Sequence, residues 1–147
     1  MEKLIKQILK FGVVGGLSFL IDFVIYTAII AIFGTAKPVV AAAAFFGFTI
    51  SLIFNYFCSM KFVFVHDENM DRRKEFTIFA VLSLIGLALN EVLILGVLFV
   101  FDNVAFLQTG FNGLLWNFKE ILGKIFATGV VMVYNFITRK IFIEKKG

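Results

Sequence analysis

Four apolar runs, each close to the length that crosses a lipid bilayer, dominate this 147-residue sequence. They cover approximately residues 11–33, 39–58, 76–101 and 121–137. About 20 consecutive apolar residues cross a hydrocarbon core of ~30 Å as a helix, which leaves no backbone polar group unpaired in lipid. Only 16% of the residues are charged, whereas a soluble domain has about 25%. The sequence therefore predicts an all-α integral membrane protein, with four transmembrane helices in one domain of residues 1–147.

Lysine and arginine are distributed unevenly along the chain. Eleven of the 14 bases lie at the two ends or between the second and third runs. These are Lys3, Lys6, Lys10, Lys61, Arg72, Arg73, Lys74, Arg139, Lys140, Lys145 and Lys146. Because such bases collect on the cytoplasmic side, the pattern predicts cytoplasmic termini for a multi-pass plasma-membrane protein. The net charge of +4 is then a topology signal, and we predict no nucleic-acid binding.

A weak internal repeat divides the sequence into two helical hairpins. The stretch FGVVGGLSFLIDFVI from Phe11 aligns with FAVLSLIGLALNEVL from Phe79, which places Asp22 over Asn90. A second alignment, FNYFCSMKFVF with YNFITRKIFI, places Asn55 over Asn135. Two crossings separate the units, so the pattern predicts a parallel repeat of the kind found in transporters. The alternative is two hairpins that are alike because both are apolar.

Small residues recur four positions apart in three of the runs. They are Gly12 with Gly16, Ala43 with Gly47 and Ser51, and Gly123 with Ala127. This spacing lets helix backbones approach closely in lipid, so it predicts a packed bundle.

Two carboxylates and an amide lie deep in the apolar runs. Asp22 is twelve residues beyond Lys10, about 18 Å along a helix, and Glu91 with Asn90 is at a comparable depth. An aspartate at the bilayer centre costs about 2.5–3.5 kcal/mol, so such residues usually face a cavity or a partner. We therefore predict that Asp22, Asn90 and Glu91 line a substrate path, either protonated or hydrated. The alternative for Asp22 is a structural hydrogen bond to a neighbouring helix, through Asn90 for example.

An asparagine followed by bases ends the second and the fourth run. The residues are Asn55 with Lys61, and Asn135 with Arg139 and Lys140. Amide donors beside Lys and Arg suit a phosphate, because charge-assisted hydrogen bonds to its oxygens are strong. The pattern predicts a site for a phosphate headgroup at the cytoplasmic face. The alternative is the positive flank that any such helix end carries.

Two other segments have the composition of membrane-interface structure. Lys3, Lys6 and Lys10 recur at helical spacing among apolar residues, which indicates either a short interfacial helix or a simple positive flank. The aromatic segment of residues 103–119, which contains Trp116, favours the headgroup region.

Catalytic and metal-binding patterns are absent from the sequence. Cys58 is the single cysteine, no metal-ligand cluster or cofactor motif occurs, and no Ser-His-Asp set is present. His66 stands beside Asp67 and Glu68, which is typical of a solvated turn. We therefore predict that the chain is not an enzyme and uses no cofactor.

The motifs together resemble the GtrA-like family of small membrane proteins. The resemblance rests on the opening F-x-x-V-G-G of residues 11–16, the aspartate at Asp22, and the paired N-x-x-x-x-x-x-F helix ends from Asn55 and Asn135. It covers about residues 10–143 of the chain. The chain departs from the family pattern at Phe62 and Phe142, where tryptophan is usual. Met60 stands where a base is usual.

The resemblance implies the flipping of a polyprenyl-phosphate-linked monosaccharide, for cell-surface polysaccharide or teichoic-acid glycosylation in the cell wall. Its implied partners are the lipid-linked sugar, membrane lipids and a membrane-associated glycosyltransferase, and assembly into a homo-oligomer stays open. One alternative is a proton-coupled small-molecule exporter that uses Asp22 and Glu91. Another is an accessory membrane subunit of a glycosyltransferase.

Overall fold

The computed structural model describes residues 1–105, 109 and 118–146, without the side chain of Glu120. Four long helices make up this part of the chain: α1 is Glu2–Phe33, α2 is Lys37–Cys58, α3 is Arg72–Asn103 and α4 is Lys119–Phe142. All four are long and apolar enough to cross a membrane. The predicted all-α class with four spanning helices is therefore confirmed. The segment around Trp116 lies outside the described residues.

α1 is longer than the span predicted from the sequence. It begins at Glu2 and runs for 32 residues, about 48 Å, which exceeds the ~30 Å hydrocarbon core. Lys3, Lys6 and Lys10 therefore belong to the first turns of a continuous helix. They do not form a separate short helix.

The connection between α1 and α2 depends on glycine and proline. Gly34 has a φ of 89°, which side chains rarely allow, and its amide donates to the carbonyl of Ile30 at 2.8 Å. Pro38 then occupies the first turn of α2, where the missing N–H has no helical partner in any case. The chain thus reverses within a few residues, and α1 and α2 pack as a hairpin.

α2 ends in a wider helical turn. Ser59–Val63 is π-helical, and the amide of Phe64 donates to the carbonyl of Ser59 at 2.8 Å. Such turns often lie at functional sites, because the extra residue re-aims the side chains around it. Beyond it, Val65 accepts a 2.8 Å hydrogen bond from the amide of Lys145, so the C-terminal tail pairs with the segment after α2.

The chain forms two compact units. The first is Met1–Ala80 with Arg139–Gly147, and the second is Val81–Thr138. In the first unit Ala43, Gly47 and Ser51 are buried in the α1–α2 hairpin, as their spacing predicts.

The second unit pairs α3 with α4. A Cβ added at Gly123 would lie 3.3 Å from Val97, and Ala127 has no exposed surface, so this small-residue prediction is also confirmed. Gly16 in α1 is different, because it is exposed and no atom lies near the position of an added Cβ. Its small size is therefore not used for packing in this structure.

Candidate functional site

A cavity of about 770 Å³ lies in the first unit, between the end of α2 and the start of α3. Three bases line it, namely Lys61, Arg72 and Arg73. Most of the remaining wall is apolar and is formed by Ile53, Phe57, Met60, Phe76 and the ring of Tyr56. A cavity with this division suits an amphiphile, because its bases attract an anionic head and its apolar wall accepts a hydrocarbon chain.

Behind the cavity wall lies a carboxylate with no exposed surface, Glu75. It accepts hydrogen bonds from the hydroxyl of Tyr56 at 2.7 Å and from the guanidinium of Arg72 at 3.1 Å. Its second oxygen contacts the Nδ1 of His66. Buried carboxylates need such partners because an unpaired charge away from water costs several kcal/mol. Glu75 thereby orients two of the side chains that line the cavity.

His66 does not lie in the solvated turn that its neighbours suggested. Its side chain is 22% exposed and rests on Glu75. Because residue 66 also forms an antiparallel bridge with Glu144 in the tail, the segment after α2 is held on both sides. Sequence neighbours could not show this contact, since Glu75 is nine positions away.

Two aromatic rings pack against Tyr56 in the cavity wall. The ring of Tyr56 meets those of Phe76 and Phe79 edge to face, with centroids 5.1 and 5.4 Å apart. Edge-to-face pairs are favoured by the charge distribution of the rings. Tyr56 is therefore held at both its ring and its hydroxyl.

Lys61 and Asn55, which the sequence pairs at the end of α2, have different roles in the structure. Lys61 lies in the π turn with its ammonium 5.3 Å from the ring centroid of Phe62, and it lines the cavity. Asn55 is half-buried and accepts a 2.8 Å hydrogen bond from the hydroxyl of Ser59. Its oxygen thus stabilises the π turn that carries Lys61.

The bases at the end of α4 are engaged in packing. Arg139 is 2% exposed, and its guanidinium lies 4.1 Å from the ring centroid of Phe79 and 5.7 Å from that of Phe11. Lys140 donates to the side-chain oxygens of Gln7 at 2.8 Å and Glu144 at 2.7 Å. Both bases therefore tie the end of α4 to other parts of the first unit.

Asn135 lies in the second unit. Its side-chain oxygen would be 2.9 Å from a Cβ added at Gly86, so α3 and α4 approach closely there. The same unit holds Asn90, which is half-buried, and Glu91, which is exposed.

Asp22 lies at the crossing of α1 and α2. It is half-buried, and its carboxylate packs directly over Gly47. This observation explains how α2 accommodates a charged group in an apolar hairpin, since any larger residue at position 47 would occupy the same space. A path shared by Asp22, Asn90 and Glu91 remains a prediction.

Sequence reasoning missed four residues of this site: Tyr56, Arg72, Arg73 and Glu75. The sequence pattern identifies the two arginines only as orientation signals. The sequence does contain a signal for this pair. Arg72 and Glu75 are three residues apart at the start of a span, which places the base and the carboxylate one helical turn from each other.

Comparisons with curated proteins and with solved structures found no match. Residues 10–144 match the family described as GtrA/DPMS, transmembrane domain. The match covers nearly the whole chain and agrees with the four helices that are long and apolar enough to span a membrane. The chain is a multi-pass membrane protein that belongs to the GtrA/DPMS transmembrane-domain family.

Proposed function

We propose that this protein translocates a polyprenyl-phosphate-linked monosaccharide across the plasma membrane, for cell-surface polysaccharide or teichoic-acid glycosylation. The observation that carries the proposal is the 770 Å³ cavity, in which Lys61, Arg72 and Arg73 adjoin an apolar wall. A lipid-linked sugar has the same division, with a charged phosphate between a polar sugar and a long hydrocarbon chain. The GtrA/DPMS transmembrane-domain family suggests a role in the handling of lipid-linked sugars, and membership in it supports the same substrate class.

In this proposal the phosphate is bound by the three bases of the cavity. Arg72 is already oriented by Glu75, so less side-chain freedom is lost when it binds an anion. The first isoprene units pack against the aromatic wall formed by Phe57 and Phe76. No covalent bond is made or broken, and the protein acts without a cofactor.

The sugar must then cross the apolar interior past polar groups. We assign this role to Asp22, Asn90 and Glu91, because a hydroxyl-rich sugar needs hydrogen-bond partners where water is scarce. Asn55, Arg139 and Lys140 act indirectly in this scheme, since their contacts fix the ends of α2 and α4 in the first unit. Asn135 belongs to the close contact of α3 with α4 in the second unit. A membrane-associated glycosyltransferase supplies the lipid-linked sugar from the cytoplasmic side.

The test is transport of a defined polyprenyl-phosphate sugar in liposomes that contain the purified chain. The variant Lys61→Gln with Arg73→Gln removes two bases and leaves the Arg72–Glu75 pair intact. We expect transport to fall about tenfold or more, because charge-assisted hydrogen bonds contribute about 1.5–3 kcal/mol each. Lys74→Gln with Lys145→Gln, which removes two exposed bases that do not line this cavity, is the matched control. Full transport by the double variant would overturn the assignment of the phosphate site.

A further inference from the structure

A second basic cavity, of about 630 Å³, lies beside the first turns of α1 in the first unit. Lys3, Lys6, Lys10 and Lys140 line it. Glu144 is the one carboxylate among the described lining residues, and it is already paired with Lys140 at 2.7 Å. Lys6 is paired with Glu2 at 2.6 Å. With four bases against these two carboxylates the cavity still carries an excess of positive charge, which favours an anionic occupant.

An apolar groove of about 390 Å³ continues from this cavity along α1. The two share Lys10 and Phe62, and beyond them the groove is lined by Val13, Leu17 and Cys58. From residue 10 to residue 17 the groove follows about 10 Å of the helix. The basic part thus lies at the end of the span and the apolar part lies within it.

We propose that this cavity and groove bind an anionic phospholipid of the surrounding bilayer. Its phosphodiester would lie among Lys3, Lys6 and Lys10, and one acyl chain would follow the groove past Val13. Val13 and Leu9 are each 63% exposed on the flank of α1, so a bilayer lipid reaches the groove directly from the membrane. The site is separate from the cavity of Lys61 and Arg72, and the proposal does not depend on translocation.

The test measures binding of phosphatidylglycerol and phosphatidylcholine to the full chain in neutral detergent by native mass spectrometry. The wild type should prefer phosphatidylglycerol. The variant Lys3→Gln, Lys6→Gln, Lys10→Gln should weaken phosphatidylglycerol binding about tenfold or more, since each base near an anionic lipid contributes substantially. The matched control Lys74→Gln, Lys145→Gln, Lys146→Gln removes the same charge from exposed positions and should keep the preference.

A second pair of variants tests the groove without changing charge. Leu17→Trp fills the groove and should also weaken phosphatidylglycerol binding. Leu20→Trp, at an exposed position outside the groove lining, should not. Equal binding by both tryptophan variants, or equal loss in both lysine triples, would overturn the site.

Competition identifies the occupant. A polyprenyl monophosphate that displaces phosphatidylglycerol at equal concentration, through the same three lysines, would overturn the assignment to a bilayer lipid. Failure to displace it supports the assignment. No transport is measured in these experiments, so their outcome is independent of the proposed translocation.

Discussion

The hydroxyl of Tyr56 donates a 2.7 Å hydrogen bond to Glu75, a side chain with no exposed surface. One residue comes from the end of α2 and the other from the start of α3, so the bond fixes two helices across a loop. Arg72 and His66 also contact this carboxylate. The stability of this corner and the shape of the adjoining cavity therefore depend on the same carboxylate.

Tyr56→Phe should lower the stability of the protein by about 1 kcal/mol, the usual net value of one buried hydrogen bond. Glu75→Ala should cost more, about 2–3 kcal/mol, because it leaves the buried hydroxyl of Tyr56 and the half-buried ring of His66 without their acceptor. Thermal unfolding in detergent, followed by circular dichroism, measures both. The control is Tyr26→Phe at an exposed position of α1. Equal stability of Tyr56→Phe and Tyr26→Phe would contradict the role of the bond.

Arg139 is expected to tolerate lysine poorly. Its guanidinium stacks on Phe79 with a separation of 4.1 Å, and lysine keeps the charge but loses the planar contact. A buried cation–π contact contributes about 2 kcal/mol, so Arg139→Lys should lower stability by about 1–2 kcal/mol. The exposed Arg73 provides the control, since Arg73→Lys should leave the unfolding temperature unchanged.

The pair can be tested as a cycle with Phe79→Leu. If the two side chains interact, the double variant loses less stability than the two single variants together. Strict additivity would show that Arg139 is buried for another reason.

Gly47→Ala should destabilise the α1–α2 hairpin, because the new methyl group would overlap the carboxylate of Asp22 and lie 3.0 Å from its carbonyl oxygen. Overpacking of this kind costs about 1–3 kcal/mol. Gly16→Ala meets no neighbouring atom and should leave thermal unfolding unchanged or raise its midpoint. Adding Asp22→Ala to Gly47→Ala should restore part of the loss. A hairpin equally stable with either alanine would refute the close contact.

The spanning helices were predictable because their signal is local. Twenty apolar residues in a row require burial in lipid wherever the rest of the chain lies, so the runs near residues 11–33 and 39–58 correspond to α1 and α2. The helix ends were harder to predict, because polar turns continue a helix past the hydrocarbon region. The nine residues before Phe11 in α1 are one such extension.

The candidate site was harder to predict, because its contacts join distant parts of the chain. Arg139 follows Asn135 in a pattern typical of a phosphate site, but its aromatic partners Phe11 and Phe79 lie more than 50 positions away. No local pattern shows that a base at the end of a span will be covered by rings. Glu75 was missed for the same reason, since a carboxylate at the start of a span usually faces water.

The distribution of bases predicts that residues 61–75 and both termini face the cytoplasm, and labelling of single cysteines tests it. Cys58 is first replaced by serine, since it is the single native cysteine. Lys37→Cys then places a thiol at the exposed first residue of α2, and Asn69→Cys places one in the exposed loop between α2 and α3. An impermeant maleimide should label position 37 in intact cells and position 69 only after permeabilisation. The reverse labelling pattern would show that residues 61–75 face the outside, and the predicted topology would be wrong.

Asp22→Asn separates a functional from a structural role of the carboxylate. The amide keeps the size of the side chain and its contact with Gly47, so the hairpin should fold, and loss of a costly intramembrane charge should leave thermal stability equal or higher. If Asp22 lines the sugar path, transport of the polyprenyl-phosphate sugar in liposomes should nevertheless fall about tenfold, the effect of losing one charged hydrogen bond.

Glu91→Gln is the companion variant. If Asp22 and Glu91 line one path, the double variant should transport no worse than the more impaired single variant, because residues that act together are not additive. If the transport loss of the double variant equals the product of the two single losses, the two carboxylates have separate roles. Full transport by Asp22→Asn would mean that the carboxylate serves only the contact with Gly47, and the sugar path would then have to be sought elsewhere in the bundle.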